Sequence, residues 1–278
     1  ASVLVAGLSW AIYSLSLESL DDAWRALSAL SASGLMALTL VNILVLLSLT
    51  MKGFCLLRFL GESLGLMRWF LIRQIGFIVS FLTPGPQVGG EPLQVWLLRR
   101  RGVDIHRAVI VAAGDKIADG LVNLVMFMVG LIVFAGGQTL GTTMLTHELN
   151  EASVSLVTWS FALVVIVGLV FWGARRFPGV SAKLSQFKIE IQRLTPSQWL
   201  VVSALGVLSW LLMFAEWWLL WWLIDSSVSW ELVLGSFLST RMALWTPIPG
   251  GAGIYEAGVV SIALWLQADL STALAVVA

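Results

Sequence analysis

The sequence predicts an all-α, polytopic membrane protein with two re-entrant helical hairpins in an inverted-repeat arrangement. Three observations carry that prediction. Hydrophobic residues fill 59% of the 278 positions and charged residues 12%, with a mean hydropathy of +0.93, far outside soluble composition. The apolar residues run in continuous blocks of helix length, not in the alternation of a membrane β-barrel. Two blocks are too short to span a bilayer, and each is joined to its predecessor by a Pro/Gly-rich knot. Sixteen basic and sixteen acidic residues cancel, so information lies in where the charges sit. A single cysteine, Cys55, excludes an internal disulfide framework, and His106 and His147 stand too far apart in sequence to suggest a Cys/His metal site. No metal and no cofactor are expected.

The apolar blocks lie at about residues 1–17, 32–51, 66–83, 87–98, 106–136, 155–174, 197–224, 229–247, 253–267 and from 270 onward. A spanning helix needs about 20 residues, which 87–98 and 253–267 do not supply. No cleavable signal peptide is visible, the first residue is not Met, and both ends fall inside apolar runs. Residues 1–278 therefore read as one transmembrane domain trimmed from something longer. Within 181–196, Leu184, Phe187 and Ile191 share one helical face, as in a cytoplasmic interfacial helix.

The knots read Thr83-Pro84-Gly85-Pro86-Gln87-Val88-Gly89-Gly90-Glu91-Pro92 and Thr246-Pro247-Ile248-Pro249-Gly250-Gly251-Ala252-Gly253-Ile254-Tyr255-Glu256. Each holds Thr-Pro-x-Pro, then glycines, then Glu. Basic residues mark cytoplasmic segments, and they gather in three stretches that include Lys52, Arg58, Arg68, Arg99, Arg100, Arg101 and Arg107. Both flanks of the first knot are therefore cytoplasmic, so residues 66–98 dip in and return. Glu231 and Asp269 place both flanks of 229–267 outside, giving a second hairpin of opposite topology. Broken helices in an inverted repeat belong to transporters. A plain proline kink in each of two ordinary spans is the competing reading, and it puts the triple arginine outside.

Several residues could carry chemistry. Asp115, Asp119 and Asn123 recur every four positions and share a helix face, with Lys116 placed three before Asp119 for an ion pair. At about 1.5 Å per residue, Asp115 lies about 15 Å inside the cytoplasmic end. Either a structural Lys-Asp pair knits the bundle there, or these groups form the polar wall of a substrate path. Arg73 and Arg241 stand in the descending arms of the two hairpins, where a guanidinium suits a phosphate. Snorkelling accounts for Arg73 equally well, and Glu216 is the candidate partner of Arg241. Glu91 and Glu256 fall in the first turn of each returning half-helix, which the helix dipole alone explains. The neighbouring Pro84, Gly85, Gly89, Gly90, Pro249, Gly250, Gly251 and Gly253 could present backbone N–H groups to an anionic headgroup.

Enzyme signals fail. No P-loop sequence occurs, so no ATP-driven stroke is expected within the chain. Gly61-Glu62-Ser63-Leu64-Gly65 matches a nucleophile elbow but lies between two apolar blocks with no preceding strand.

The first knot with Val95-Trp96-Leu97-Leu98-Arg99-Arg100, then Asp115-Lys116, then Pro247-x-Pro249-Gly250-Gly251-x-Gly253-x-x-Glu256, resembles the lysylphosphatidylglycerol synthase transmembrane family over roughly residues 66–267. That family includes the flippase module of the bacterial multiple peptide resistance factor and stand-alone relatives. The resemblance implies a multi-pass protein of the bacterial cytoplasmic (inner) membrane that moves lipids, in that factor aminoacylated phosphatidylglycerol, between leaflets. It also implies that the two knots and Asp115 line the lipid path; Arg241 is added from depth alone. Lysyl transfer in that factor belongs to a separate cytosolic domain, and no catalytic residue is expected here. The expected function is a flippase for an anionic or aminoacylated phospholipid or an isoprenoid-type lipid. The alternative is the membrane module of a lipid aminoacyl- or glycosyl-transferase. Expected partners are membrane lipids and a lipid-modifying enzyme; self-association is left open, and nucleic acid is not expected.

Overall fold

Several of the described helices begin where the sequence offers a side-chain cap. The computed structural model describes residues 30–83, 89–141, 194–246, 248 and 251–277. These form α1 (Ala32–Phe59), α2 (Leu66–Leu82), α3 (Glu91–Arg100), α4 (Ile105–Gly141), α5 (Pro196–Ile224), α6 (Trp230–Ala243), α7 (Ile254–Trp265) and α8 (Leu270–Val277). Ser31 caps α1 by accepting from the Gly34 N–H at 3.1 Å, and Asp104 caps α4 through the His106 N–H at 2.9 Å. Thr195 and Gln198 form a reciprocal capping box at the start of α5. Such caps satisfy amide donors that the first helical turn leaves free.

Three helices, α1, α4 and α5, are long and apolar enough to cross a membrane. The surface of the helices, α2 included, is inverted relative to a soluble protein. Met36 is 73% exposed and Leu82 67%, while Lys52 is 0% exposed and Arg73 8%. Apolar side chains face outward and charges inward, as a hydrocarbon solvent demands. The protein is a multi-pass membrane protein.

α1 runs antiparallel to α5. Any side chain on Gly34 would strike Leu223, the Ser209 hydroxyl donates to Ser48 Oγ at 2.9 Å, and Asn42 meets Glu216 between those two contacts. Two core clusters divide the bundle along its length. The first unites Leu56, Leu57, Leu60, Trp69, Leu98, Val103, Ala108, Leu194 and Val202, so α1 ends where α4 and α5 begin. Exposed Arg58, Arg68, Arg99, Arg100 and Arg101 ring this end. The second unites Phe127, Phe134, Trp217, Trp221, Phe237, Val259 and Ala273; Asp225, Glu231 and Asp269 lie at its end.

The four remaining helices form two antiparallel pairs. In the first, α3 turns back along α2: the Gly90 N–H donates to Ser80 Oγ at 2.8 Å, and a Cβ on Gly90 would collide with the Gly76 carbonyl. Glycine is required there for backbone contact. In the second pair, α7 returns along α6 with Gly258 against Ser239 and Gly251 against Ala243. Gly251 and Gly253 have φ of 69° and 80°, a left-handed region that side chains disfavour. The first pair packs into the arginine-ringed half and the second into the acidic half.

On either side of each break the flanking helices pack antiparallel, which a kink within a continuous span does not describe. With 17, 10, 14 and 12 residues, the paired helices measure about 26, 15, 21 and 18 Å, against about 30 Å of hydrocarbon. The expected block 87–98 begins only at Glu91, and the block 106–136 extends to Gly141. The expected blocks 1–17 and 155–174, residues 181–193 of the interfacial segment, and Pro84, Gly85, Pro249 and Gly250 lie outside the described residues.

Candidate functional site

Six ionisable side chains converge beside the first helix pair. Lys52, on α1 seven residues before its end, is fully buried; its ammonium lies 3.2 Å from Asp115 Oδ1, pairs with Asp119, and donates to the Asp115 carbonyl at 3.3 Å. Arg73 of α2 places Nε 3.6 Å from Asp115 Oδ2. One position along α4, Lys116 reaches Glu91 in the first turn of α3 at 3.4 Å. The three cations, Lys52, Arg73 and Lys116, balance the three carboxylates, Asp115, Asp119 and Glu91. An ionised group at the centre of a membrane helix costs about 2.5 to 3.5 kcal/mol uncompensated, so mutual pairing is what makes this cluster tolerable there. Pairing is incomplete. Among the described residues Arg73 Nε, Gln74 Nε2 and Glu91 Oε2 are buried without a hydrogen-bond partner.

The expected Lys116–Asp119 pair is not what forms. Asp119 is taken by Lys52 and Lys116 by Glu91, because the buried ammonium of α1 fits between the two aspartates and leaves Lys116 to turn toward α3. Asn123 bonds back to the Asp119 carbonyl of its own helix at 2.8 Å. Lys52, expected with the basic residues of a cytoplasmic stretch, is instead a buried member of the site. Its signal was its place seven residues inside a helix of high hydropathy, with Gly53 beside it to admit the Trp69 ring. Gly89 and Gly90 lie at the start of α3 beside Thr83 and Ser80.

The second half holds a separate set. Arg241, near the end of α6, lays its guanidinium over the Phe237 ring at 4.5 Å, and among the described residues its Nε has no hydrogen-bond partner. Among the described residues no ion pair joins it to Glu216. Instead Glu216 Oε1 accepts from Asn42 Nδ2 at 2.7 Å, so the expected partnership gives way to an amide on α1. Asn42 was missed, although a polar residue in the middle of an apolar block was signal enough. Glu256 Oε2 accepts from the Gly253 N–H at 2.6 Å, sealing the start of α7 with the chain's own carboxylate. Tyr255 packs edge-on against Trp217 with ring centroids 6.0 Å apart.

The structure thus brings Arg73, Glu91, Asp115, Lys116 and Asp119 together and leaves Glu216, Arg241, Gly251, Gly253 and Glu256 in the opposite half. Neither set resembles a catalytic triad or, among the described residues, a metal-binding group. What such an arrangement can do is shield a polar group from hydrocarbon at depth. A comparison with curated proteins returned no match. The family described as the lysylphosphatidylglycerol synthase TM region matches residues 1–278, the whole of the sequence. The buried charge network therefore sits inside a member of the lysylphosphatidylglycerol synthase transmembrane-region family.

Proposed function

We propose that this protein is a lipid translocator of the bacterial cytoplasmic membrane, in which the two short helix pairs enter the bilayer from opposite faces as re-entrant hairpins. The arginine-ringed end faces the cytoplasm, following the positive-inside rule. A polar headgroup crosses along the cleft between the hairpins while its acyl chains stay in lipid. The observation that carries this reading is the charge-balanced network of Lys52, Arg73, Asp115, Asp119, Lys116 and Glu91, held at depth in a protein whose outer surface is apolar.

The substrate is an anionic or aminoacylated phospholipid, or an isoprenoid-type lipid phosphate, with Arg241 meeting the phosphate near the outer face. Purified protein in vesicles should accelerate leaflet exchange of fluorescent phosphatidylglycerol without nucleotide. Exchange no faster than in protein-free vesicles, across anionic, zwitterionic and aminoacylated lipids, rules the proposal out.

A second reading follows from the family's description as the membrane region of a synthase: a module that presents lipid to a transferase. It predicts lipid binding with no exchange by the chain alone, and the same vesicles distinguish the two.

A further inference from the structure

We propose that the arginine-ringed end is a binding surface for the anionic phospholipid headgroups of the leaflet it meets, an inference that stands whether or not lipid crosses the protein. Five exposed arginines form it: Arg58 at the end of α1, Arg68 at the start of α2, and Arg99, Arg100 and Arg101 at the end of α3. Among the described residues the carboxylates at this end are committed elsewhere. Glu62 accepts from Arg107 at 3.0 Å, and Asp104 accepts from the His106 and Arg107 N–H groups as the cap of α4. Among the described residues no ion pair takes up any of the five.

Two general rules account for only part of this surface. The helix dipole favours cations in a last turn, which suits Arg58, Arg99 and Arg100. It disfavours Arg68, the third residue of α2, in a first turn that holds no acid. The positive-inside rule asks for charge on one side of the membrane and is indifferent to how the side chains lie. Here they lie in a particular way. The Arg100 guanidinium covers the Trp96 ring at 4.0 Å and that of Arg58 covers the Phe54 ring at 4.8 Å, each ring one turn back along the helix. A guanidinium resting on an aromatic face keeps its edge donors free for the oxygens of a phosphate.

The neighbours of these cations select the partner. Exposed Met67 and Leu71 adjoin Arg68 along α2, and exposed Trp96 lies beside Arg100. Apolar surface within one turn of a row of cations matches the boundary of a bilayer, where acyl chain gives way to phosphate, and tryptophan prefers that level. A soluble acidic protein or a nucleic acid would have use for the charges alone. α3 then joins two charged places: its first residue, Glu91, is tied to Lys116 in the buried network, and its last turn lies about 14 Å away among the arginines.

The test uses the full chain in phosphatidylcholine vesicles carrying a trace of spin-labelled phosphatidylglycerol or of spin-labelled phosphatidylcholine, with the motionally restricted fraction measured for each. Both leaflets have the same composition, so the orientation of the protein does not enter. The wild type should prefer phosphatidylglycerol by at least about fivefold, the contribution of one arginine near an anionic surface. Raising the salt from about 0.1 M to about 1 M, which shortens the screening length from about 10 Å to about 3 Å, should reduce that preference. Replacing Arg68, Arg99, Arg100 and Arg101 by Gln should abolish it, and replacing the same four by Lys should retain most of it, because an ammonium still attracts an anion. If the glutamine protein is not monodisperse, Arg68→Gln and Arg100→Gln made singly carry the test, each with a lowered preference. Equal restriction of the two lipids by the wild type, an undiminished preference in the glutamine variants, or an equal loss in the lysine protein overturns the proposal. So does poly-glutamate that binds the protein in pure phosphatidylcholine vesicles and is not displaced as phosphatidylglycerol is added, which would assign the arginines to a soluble acidic partner.

Discussion

Asp115 and Lys116, adjacent on α4, hold opposite limbs of the first helix pair: Asp115 reaches Arg73 on α2, and Lys116 reaches Glu91 on α3. The two ties differ in burial. The side chains of Arg73 and Asp115 are 9% and 10% exposed, whereas Lys116 is 37% exposed. The tie to α2 is the buried one and the tie to α3 the solvent-accessible one.

Removing each tie should therefore cost differently. Asp115→Asn strands Arg73, leaves Lys52 with Asp119 alone, and should lower stability by about 3 to 5 kcal/mol, the cost of breaking a buried pair. Lys116→Gln should cost about 1 kcal/mol or less, as for exposed pairs, yet change the exchange rate. Thermal denaturation in detergent measures the first, and vesicle exchange the second. Equal destabilisation by both variants would contradict the division of labour.

Charge balance makes a rescue test. Lys52→Met leaves two aspartates against Arg73 and should destabilise by about 3 to 5 kcal/mol. Adding Asp119→Asn restores one cation to one carboxylate, so the double variant should melt above Lys52→Met alone. Non-additivity of this kind is the signature of direct coupling; a double variant no better than the single one argues against it.

How much of this was legible beforehand depended on range. The breaks after Thr83 and Thr246 were legible because proline and glycine act locally, through missing donors and dihedral freedom. The shared face of Asp115 and Asp119 followed from helical period. The partners did not: Lys52 reaches Asp115 across 63 positions and Asn42 reaches Glu216 across 174. A lysine near a helix end reads as a loop charge until the neighbouring helix that buries it is known, and a single sequence carries no trace of which helix that is.

The close approach of α2 and α3 can be tested at one atom. Gly90→Ala drives a methyl group into the Gly76 carbonyl and should cost about 1 to 3 kcal/mol by overpacking. Gly120→Ala meets nothing within 4 Å and should be neutral or stabilising by about 0.5 to 1 kcal/mol, since alanine is the better helix former. Melting temperatures of the two variants give the comparison.

Orientation is tested with single cysteines in a Cys55→Ser background. Exposed Arg100 at the arginine-ringed end and exposed Ser226 at the acidic end, each replaced by cysteine, should label from opposite sides of intact cells with an impermeant maleimide. Labelling of both from outside refutes the assignment of the arginine-ringed end to the cytoplasm.

The equality of charges in the network beside α2 and α3 has an electrical meaning. Three positive and three negative groups that move together through the membrane field do no net work against the voltage, so the network contributes no gating charge. A crossing headgroup feels about 2.3 kcal/mol per elementary charge per 100 mV. With pH equal on both sides, the network itself therefore adds nothing to the voltage dependence of exchange, and vesicles held at set membrane potentials compare the charge carried with one lipid against that carried with another.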